Sequence, residues 1–213
     1  IDTQAAAVGE MIYALAQPLG ARLTTDIATC LLVALVTDTL GFRTPSTTAR
    51  TLHTAAALIE AGASLTSIVQ QSFESRPLPV LRVWGQVLST FVVEDGIAWA
   101  SIPWRVLKRH GITENDVRGL VNVMRGTEGV LVSVLIAETP EGSIKAEFRS
   151  NGKVNVADIA TALGGGGHRG AAGCLLPGPL SDAEQRILGA VRTHMGEHGR
   201  HSQSVEAARN HIA

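Results

Sequence analysis

The stretch whose residue types and spacing point most directly to chemistry is Gly164-Gly165-Gly166-Gly167-His168-Arg169-Gly170-Ala171-Ala172-Gly173. Four successive glycines leave the backbone free to take positive φ and let a ligand approach closely. Their N–H groups carry no guarding side chain, so such a loop can form an anion-binding nest. His168 and Arg169 follow at once and add donors. The guanidinium fork suits phosphate, and an imidazole can donate or carry charge near neutral pH. The Ala-Ala-Gly continuation is dense packing chemistry, unlike a flexible linker. The spacing is neither that of the dinucleotide fingerprint nor that of the P-loop, because the Gly-Lys-Ser/Thr ending is missing. The candidate phosphate ligands of this stretch are Gly165, Gly166, Gly167, His168 and Arg169.

Two further positions carry chemical potential. Asp38, in Thr37-Asp38-Thr39-Leu40-Gly41-Phe42, follows an apolar run and precedes a glycine turn. A carboxylate there would suit Mg²⁺ or Mn²⁺, which prefer oxygen ligands. A plain turn or capping role fits the spacing equally. Arg149, at the end of an alternating segment, can reach a phosphate arriving over a sheet edge, although a solvated arginine is the ordinary reading of such a residue taken alone. Trp84, Trp99 and Trp104 read as packing residues rather than base-stacking platforms. Asn122 and Arg125 share a helix face and read as structural. His198, His201 and His211 match no metal-ligand spacing.

These residues need elements to position them. The first third of the chain reads as helices. Ile12, Leu15, Ala16 and Leu19 have helical spacing with Gly20 as a stop. Thr25 can cap a helix from Asp26 to about Val36. Thr47 or Thr48 can cap a third helix with Leu52, Ala55, Ala56 and Ile59 on one face. Residues 64–75 suit a fourth. Arg76-Pro77-Leu78-Pro79 breaks the pattern and sets a boundary. A helix over 81–91 follows. Val92-Val93 and 97–102 then flank Glu94-Asp95-Gly96 as a hairpin. Short helices follow over 103–110 and from Thr113 to about Arg125. Residues 130–137 suit a buried strand and 143–150 its partner. Asn155 caps a helix over 156–163, and a final amphipathic helix runs from Ser181 to about Met195. The domain division is 1–77, 78–196 and a tail over 197–213.

Composition narrows the classes. Hydrophobic residues make up 45% of 213, aromatics only 4% and charged residues 17%, so the core is aliphatic. Net charge is −1, and neither side of Pro77 is strongly basic, which excludes a long-duplex binder with a broad positive field. A nucleotide or a short single-stranded nucleic acid fits instead. The two cysteines, Cys30 and Cys174, suggest no disulfide framework; Cys30 reads as a core residue, and the expected compartment is the cytoplasm. The apolar run over 27–37 is too short to cross a bilayer core of roughly 30 Å as a helix, so no membrane partner is expected.

Taken together, GGGGHRGAAG over 164–173, Phe148-Arg149-Ser150 ahead of Val154-Asn155-Val156 and Ile159-Ala160, and Thr37-Asp38-Thr39 ahead of Gly41-Phe42-Arg43 resemble the DHH-type phosphoesterases with the DHH-associated C-terminal domain. The chain looks most like their nanoRNase branch, which also removes the 3′ phosphate of adenosine 3′,5′-bisphosphate. Cyclic-dinucleotide hydrolases and RecJ-like single-strand exonucleases are relatives of that branch. The resemblance implies an α/β hydrolase: the helical remainder of a parallel-sheet DHH domain, then a smaller α/β C-terminal domain with a mixed sheet. It further implies a manganese-dependent enzyme with two Mn²⁺ ions, Asp38 as one metal ligand, and Arg149, the glycines and His168 against the substrate phosphate. No Asp-His-His occurs in the 213 residues. The expectation is therefore a chain that is one part of the enzyme and inactive alone. The alternative is a non-catalytic nucleotide- or RNA-binding module. Substrate preference, exonuclease polarity and a homodimeric state stay open.

Overall fold

The structure, a computed structural model, describes residues 2–16 and 18–210, with side chains as far as 196. The chain divides into two compact units, Ile1–Arg76 and Pro77–Ala213.

The first unit is helical: α1 (Val8–Ala16), α2 (Thr25–Asp38), α3 (Ala49–Glu60) and α4 (Leu65–Val69), which runs into a π-helical turn over Gln70–Glu74. Local chemistry sets the starts. The Thr24 hydroxyl accepts from the Ile27 N–H at the head of α2, so the cap lies one residue before the expected Thr25. Thr48 and Thr51 form a reciprocal capping box at the head of α3. The core gathers Leu31, Leu32, Leu35, Val36 and Leu58.

Two apolar stripes lie largely on the surface. Ile12, Leu15 and Leu19 of the first segment, and Leu52 and Ile59 of α3, are exposed. α1 instead packs through Gly9 and Glu10, with Ala7 buried just ahead of it. A Cβ on Gly9 would come within 2.9 Å of the Leu31 carbonyl oxygen, so glycine permits α1 to approach α2. The Glu10 carboxylate accepts from the Ala6 N–H at 2.8 Å, the Arg50 Nε at 2.7 Å and the Thr51 hydroxyl at 3.3 Å, which draws this side of α1 inward. Cys30 is exposed, not a core residue.

The second unit holds a six-stranded mixed sheet in the order β1-β2-β3-β4-β6-β5. Its elements are α5 (Leu78–Leu88), β1 (Val92–Glu94), β2 (Ile97–Ile102), α6 (Trp104–Arg109), α7 (Leu120–Arg125), β3 (Val132–Glu138), β4 (Ser143–Ser150), α8 (Val156–Ala162), β5 (Gly166–His168), β6 (Ala171–Pro177) and α9 (Leu180–Asn210). β2 and β3 run parallel, and the other neighbours are antiparallel. Asp95 and Gly96, both at positive φ, make the tight β1–β2 hairpin. The β2–β3 crossover carries α6 and α7, which with α5 cover one face of the sheet around Leu107, Leu120 and Met124. α8 and α9 cover the other face around Phe148, Ile159 and Ile187.

Several boundaries differ from expectation. α5 starts at Leu78 because Pro79 sits in its first turn, where a missing N–H leaves nothing unpaired. The segment from Thr113 stays in turns until Leu120, held by Asp116, which accepts from the Thr113 N–H and hydroxyl. The backbone of α9 extends to Asn210. The side chains of His198 and His201, and all of His211, lie outside the described residues.

Candidate phosphate site

β4 alternates strictly. Ile144, Ala146 and Phe148 are fully buried against α8 and α9. Lys145, Glu147 and Arg149 therefore project from the opposite face. The register fixes what stands beside them. Lys145 is opposite Leu175, Glu147 opposite Gly173, and Arg149 opposite Ala171. One strand further out, Gly166 is opposite Gly173 and His168 opposite Ala171. Residues directly opposed across a ladder point to the same face. Three charged side chains thus border a floor of Ala171, Gly173 and Gly166, with His168 on the far side. An open cavity of about 570 Å³ lies here, lined by Lys145, Glu147, Arg149, the loop glycines Gly165–Gly167 and the small residues of β6.

Each of the loop glycines has a physical reason. α8 ends in a Schellman motif. Gly164, at φ +81°, donates to the Thr161 carbonyl at 3.0 Å, and Gly165 donates to the Ala160 carbonyl at 2.8 Å. These two amides are consumed within the protein, which corrects the expectation of a nest of free N–H groups at this end of the loop. A Cβ on Gly165 would lie 2.2 Å from the Gly173 carbonyl oxygen, and one on Gly167 would lie 2.5 Å from the Ala172 Cα. Both must be glycine for β5 to approach β6. A Cβ on Gly166 would meet nothing within 4 Å. The run is first a packing device, and Gly166 is its open-faced position. The expected loop is also partly a strand, since Gly166–His168 pair with β6.

The cavity's electrostatics are one-sided. The Arg118 and Lys145 nitrogens each lie 3.6 Å from a Glu147 carboxylate oxygen, and Arg149 lies 3.9 Å from the other. Glu147 Oε2 is buried without a hydrogen-bond donor. Burial pushes the Arg149 pKa below the ordinary guanidinium value; Glu147 opposes this, while Arg125 and Arg118 reinforce it. Among the described residues, Arg149 donates only to the carbonyl of its neighbour Phe148, at 2.8 Å. A half-buried guanidinium with several cations and one carboxylate around it is under-compensated, and an incoming anion relieves that. Arg125 reaches the Ser150 carbonyl at 3.5 Å, beside the site rather than apart from it.

Of the expected ligands, Arg149, Gly165, Gly166 and Gly167 line the cavity; His168 and Arg169 are not among its lining residues. His168 is exposed at the end of β5, and Arg169 is tied through Nε to the Gly152 carbonyl at 3.2 Å. Sequence reasoning missed Lys145, Glu147 and Arg118. The period-two pattern Lys145-x-Glu147-x-Arg149 was the available signal. Cys174 lines the cavity but belongs to the core, and burial raises its thiol to about 11 against a small opposing effect of Arg186.

Asp38 belongs to the first unit. It ends α2, exposed, where a carboxylate faces the unfavourable end of the helix dipole. The next residues turn sharply: Leu40, Gly41 and Phe42 all have positive φ, at 50°, 72° and 64°. Thr39 braces this turn, donating to the Leu35 carbonyl at 2.6 Å and accepting from the Phe42 N–H at 2.9 Å. Two non-glycine residues in left-handed backbone is a pattern found at functional sites. Among the described residues no group of three or more His, Cys, Asp or Glu is placed to hold a metal ion. Asp38 can thus supply one oxygen ligand, and the described residues do not complete a metal centre around it.

Residues 94–197 match the DHHA1 domain. The chain is 37% identical over 202 residues to the bifunctional oligoribonuclease and PAP phosphatase NrnA of Thermus thermophilus, covering 93% of this chain and 60% of that protein. It is 31% identical over 202 residues to the protein of the same name from Bacillus subtilis, covering 93% and 63%. The fold matches the crystal structure of an exopolyphosphatase-related protein from Bacteroides fragilis with a TM-score of 0.84 at 23% identity, over 92% of this chain and 59% of that one. The chain spans about three fifths of the length of these two relatives. The chain thus carries a DHHA1 domain over residues 94–197 and is similar, along most of its length, to nanoRNase-like proteins of the DHH family.

Proposed function

We propose that this chain grips the phosphate of a nucleotide or short oligoribonucleotide for a manganese-dependent phosphoesterase. The observation that carries the reading is Arg149: half-buried, under-compensated, and set against a floor of Ala171, Gly173 and Gly166 in an open cavity of about 570 Å³. A phosphoryl group fits this setting because the floor lets it approach the backbone closely and the guanidinium presents a planar pair of donors. The relatives' names, oligoribonuclease and PAP phosphatase, support the same ligand class.

In this reading Arg149 and Lys145 hold the phosphoryl group and fix its orientation, which is a proximity contribution. His168, whose ring makes no hydrogen bond to the described residues, donates to a phosphate oxygen or to the ligand beyond it. Asp38 would contribute one oxygen ligand to Mn²⁺, and the metal when bound would supply charge neutralisation and an activated water. The remaining ligands are not among the described residues, so this chain alone is expected to bind without hydrolysing. That same observation favours a second reading, a binding module without chemistry. The free thiols Cys30 and Cys174 suit a reducing, cytoplasmic setting.

The test is calorimetric titration of this chain with adenosine 3′,5′-bisphosphate and with a diribonucleotide. Saturable binding that Arg149→Ala weakens at least tenfold supports the clamp; equal binding by parent and variant refutes it. The second reading is separated by adding Mn²⁺ to the protein expressed from its natural gene and following phosphate release, which a pure binding module never gives.

A further inference from the structure

Among the described residues, Glu147 is the one carboxylate that lines the phosphate cavity. It stands in the midst of cations yet makes no hydrogen bond to any of them: its nearest approaches are 3.6 Å to Arg118, 3.6 Å to Lys145 and 3.9 Å to Arg149. Its Oε2 is buried and has no donor. Lys145 gives its close hydrogen bond, at 2.8 Å, to Asn115 instead. The carboxylate therefore lowers the positive potential of the cavity without occupying the N–H groups that a ligand would use. Its own side chain is only 13% exposed, so solvent screens it weakly.

We propose that Glu147 is a specificity-determining residue that turns compact polyanions away from the cavity and favours phosphate esters of lower charge density, such as a nucleotide. The inference rests on the phosphate-clamp reading above. A fixed negative charge beside a phosphate-binding cation repels a ligand in proportion to the ligand's own charge at that place. Pyrophosphate concentrates its whole charge within the cavity. A nucleoside monophosphate brings only its phosphoryl group and leaves a neutral sugar and base outside the field. Glu147 thus penalises the first more than the second, while three cations sharing one carboxylate still leave a net attraction for either.

The experiment is titration of the parent chain and of Glu147→Gln with adenosine 5′-monophosphate and with inorganic pyrophosphate, at low and at moderate salt. Glutamine keeps the shape and removes the charge. The expected result is that Glu147→Gln tightens pyrophosphate at least tenfold more than it tightens the nucleotide, with the gap narrowing as salt rises. If the variant weakens both ligands alike, Glu147 merely orients Arg149 and the inference is overturned while the clamp stands. If it changes both by the same favourable factor, it tunes affinity and not selection, and the inference again falls. If the parent binds neither ligand, the clamp reading itself fails, and this inference with it. A matching unfolding midpoint for parent and variant excludes loss of fold as the cause.

Discussion

Arg149 and His168 occupy one row of the sheet, on either side of Ala171. With neighbouring strands about 4.8 Å apart, their Cα atoms stand roughly 10 Å from each other across a residue with only a methyl group. The two lie 19 positions apart in sequence, and the pairing of β4, β6 and β5 alone brings them to the same face.

Filling that gap separates binding from folding. Ala171→Leu puts a branched side chain between the guanidinium and the imidazole. It is expected to weaken nucleotide binding at least tenfold while moving the unfolding free energy by less than about 1.5 kcal/mol, because the site is open to solvent. Calorimetry with adenosine 3′,5′-bisphosphate and urea unfolding read the two quantities side by side.

Arg149 itself is not interchangeable with lysine. Arg149→Ala is expected to weaken phosphate binding by about 1.5–3 kcal/mol, the range of a charge-assisted hydrogen bond. Arg149→Lys should recover less than half of that loss, since an ammonium cannot present the planar pair of donors. Full recovery by lysine would show that only the charge counts.

The three loop glycines should respond differently to alanine. Gly165→Ala and Gly167→Ala collide with β6 backbone at 2.2 and 2.5 Å. Each is expected to lower stability by several kcal/mol or to detach β5. Gly166→Ala meets open space and should fold normally. Hydrogen exchange at the β6 amides distinguishes detachment of the edge strand from general destabilisation.

Glu10 anchors the first unit. It is only 2% exposed and takes hydrogen bonds from Ala6, Arg50 and Thr51. Glu10→Ala leaves these donors unmatched and is expected to cost about 2–4 kcal/mol. Arg50 also holds Asp2, whose carboxyl is kept below the usual range first by the Gln4 N–H and then by Arg50. A depressed carboxylate adds stability above its unfolded pKa and loses it as the pH falls through the folded one. The Asp2 contribution should therefore vanish on acidification, and Asp2→Asn should flatten that part of the acid-unfolding profile.

Cys174 gives a readout at high pH. Burial holds its thiol neutral up to about 11, whereas an unfolded thiol ionises near 9. The folded chain therefore binds more protons than the unfolded chain between those values, and stability should fall as the pH rises through that window. Cys174→Ser should remove this slope. Maleimide labelling at pH 8 should reach the exposed Cys30 first and Cys174 only after unfolding.

Much of this was legible in the residues. The Asp95-Gly96 hairpin, the paired strands β3 and β4, and the Thr48 and Asn155 caps follow from turn chemistry and period-two alternation, which act over a few residues. Arg149 and the glycine run stood out by type and spacing. The apolar periodicity of α1 and α3 located the helices but not their packing, because a stripe of Ile12, Leu15, Leu52 and Ile59 states which face is apolar and not what covers it. Pro79 misled in another way: its missing N–H breaks a helix interior but suits a first turn.

By itself the amino-acid order determined the local elements, the glycine loop and the family resemblance, since each rests on contacts between near neighbours or on a run of specific residues. Only the tertiary structure decided which glycines serve packing and which one faces the cavity. It alone set Lys145, Glu147 and Arg149 in a row against Ala171 and Gly173. The reason is physical: strand register is a pairing between distant segments, and a slip of one residue would have sent all three charges into the core.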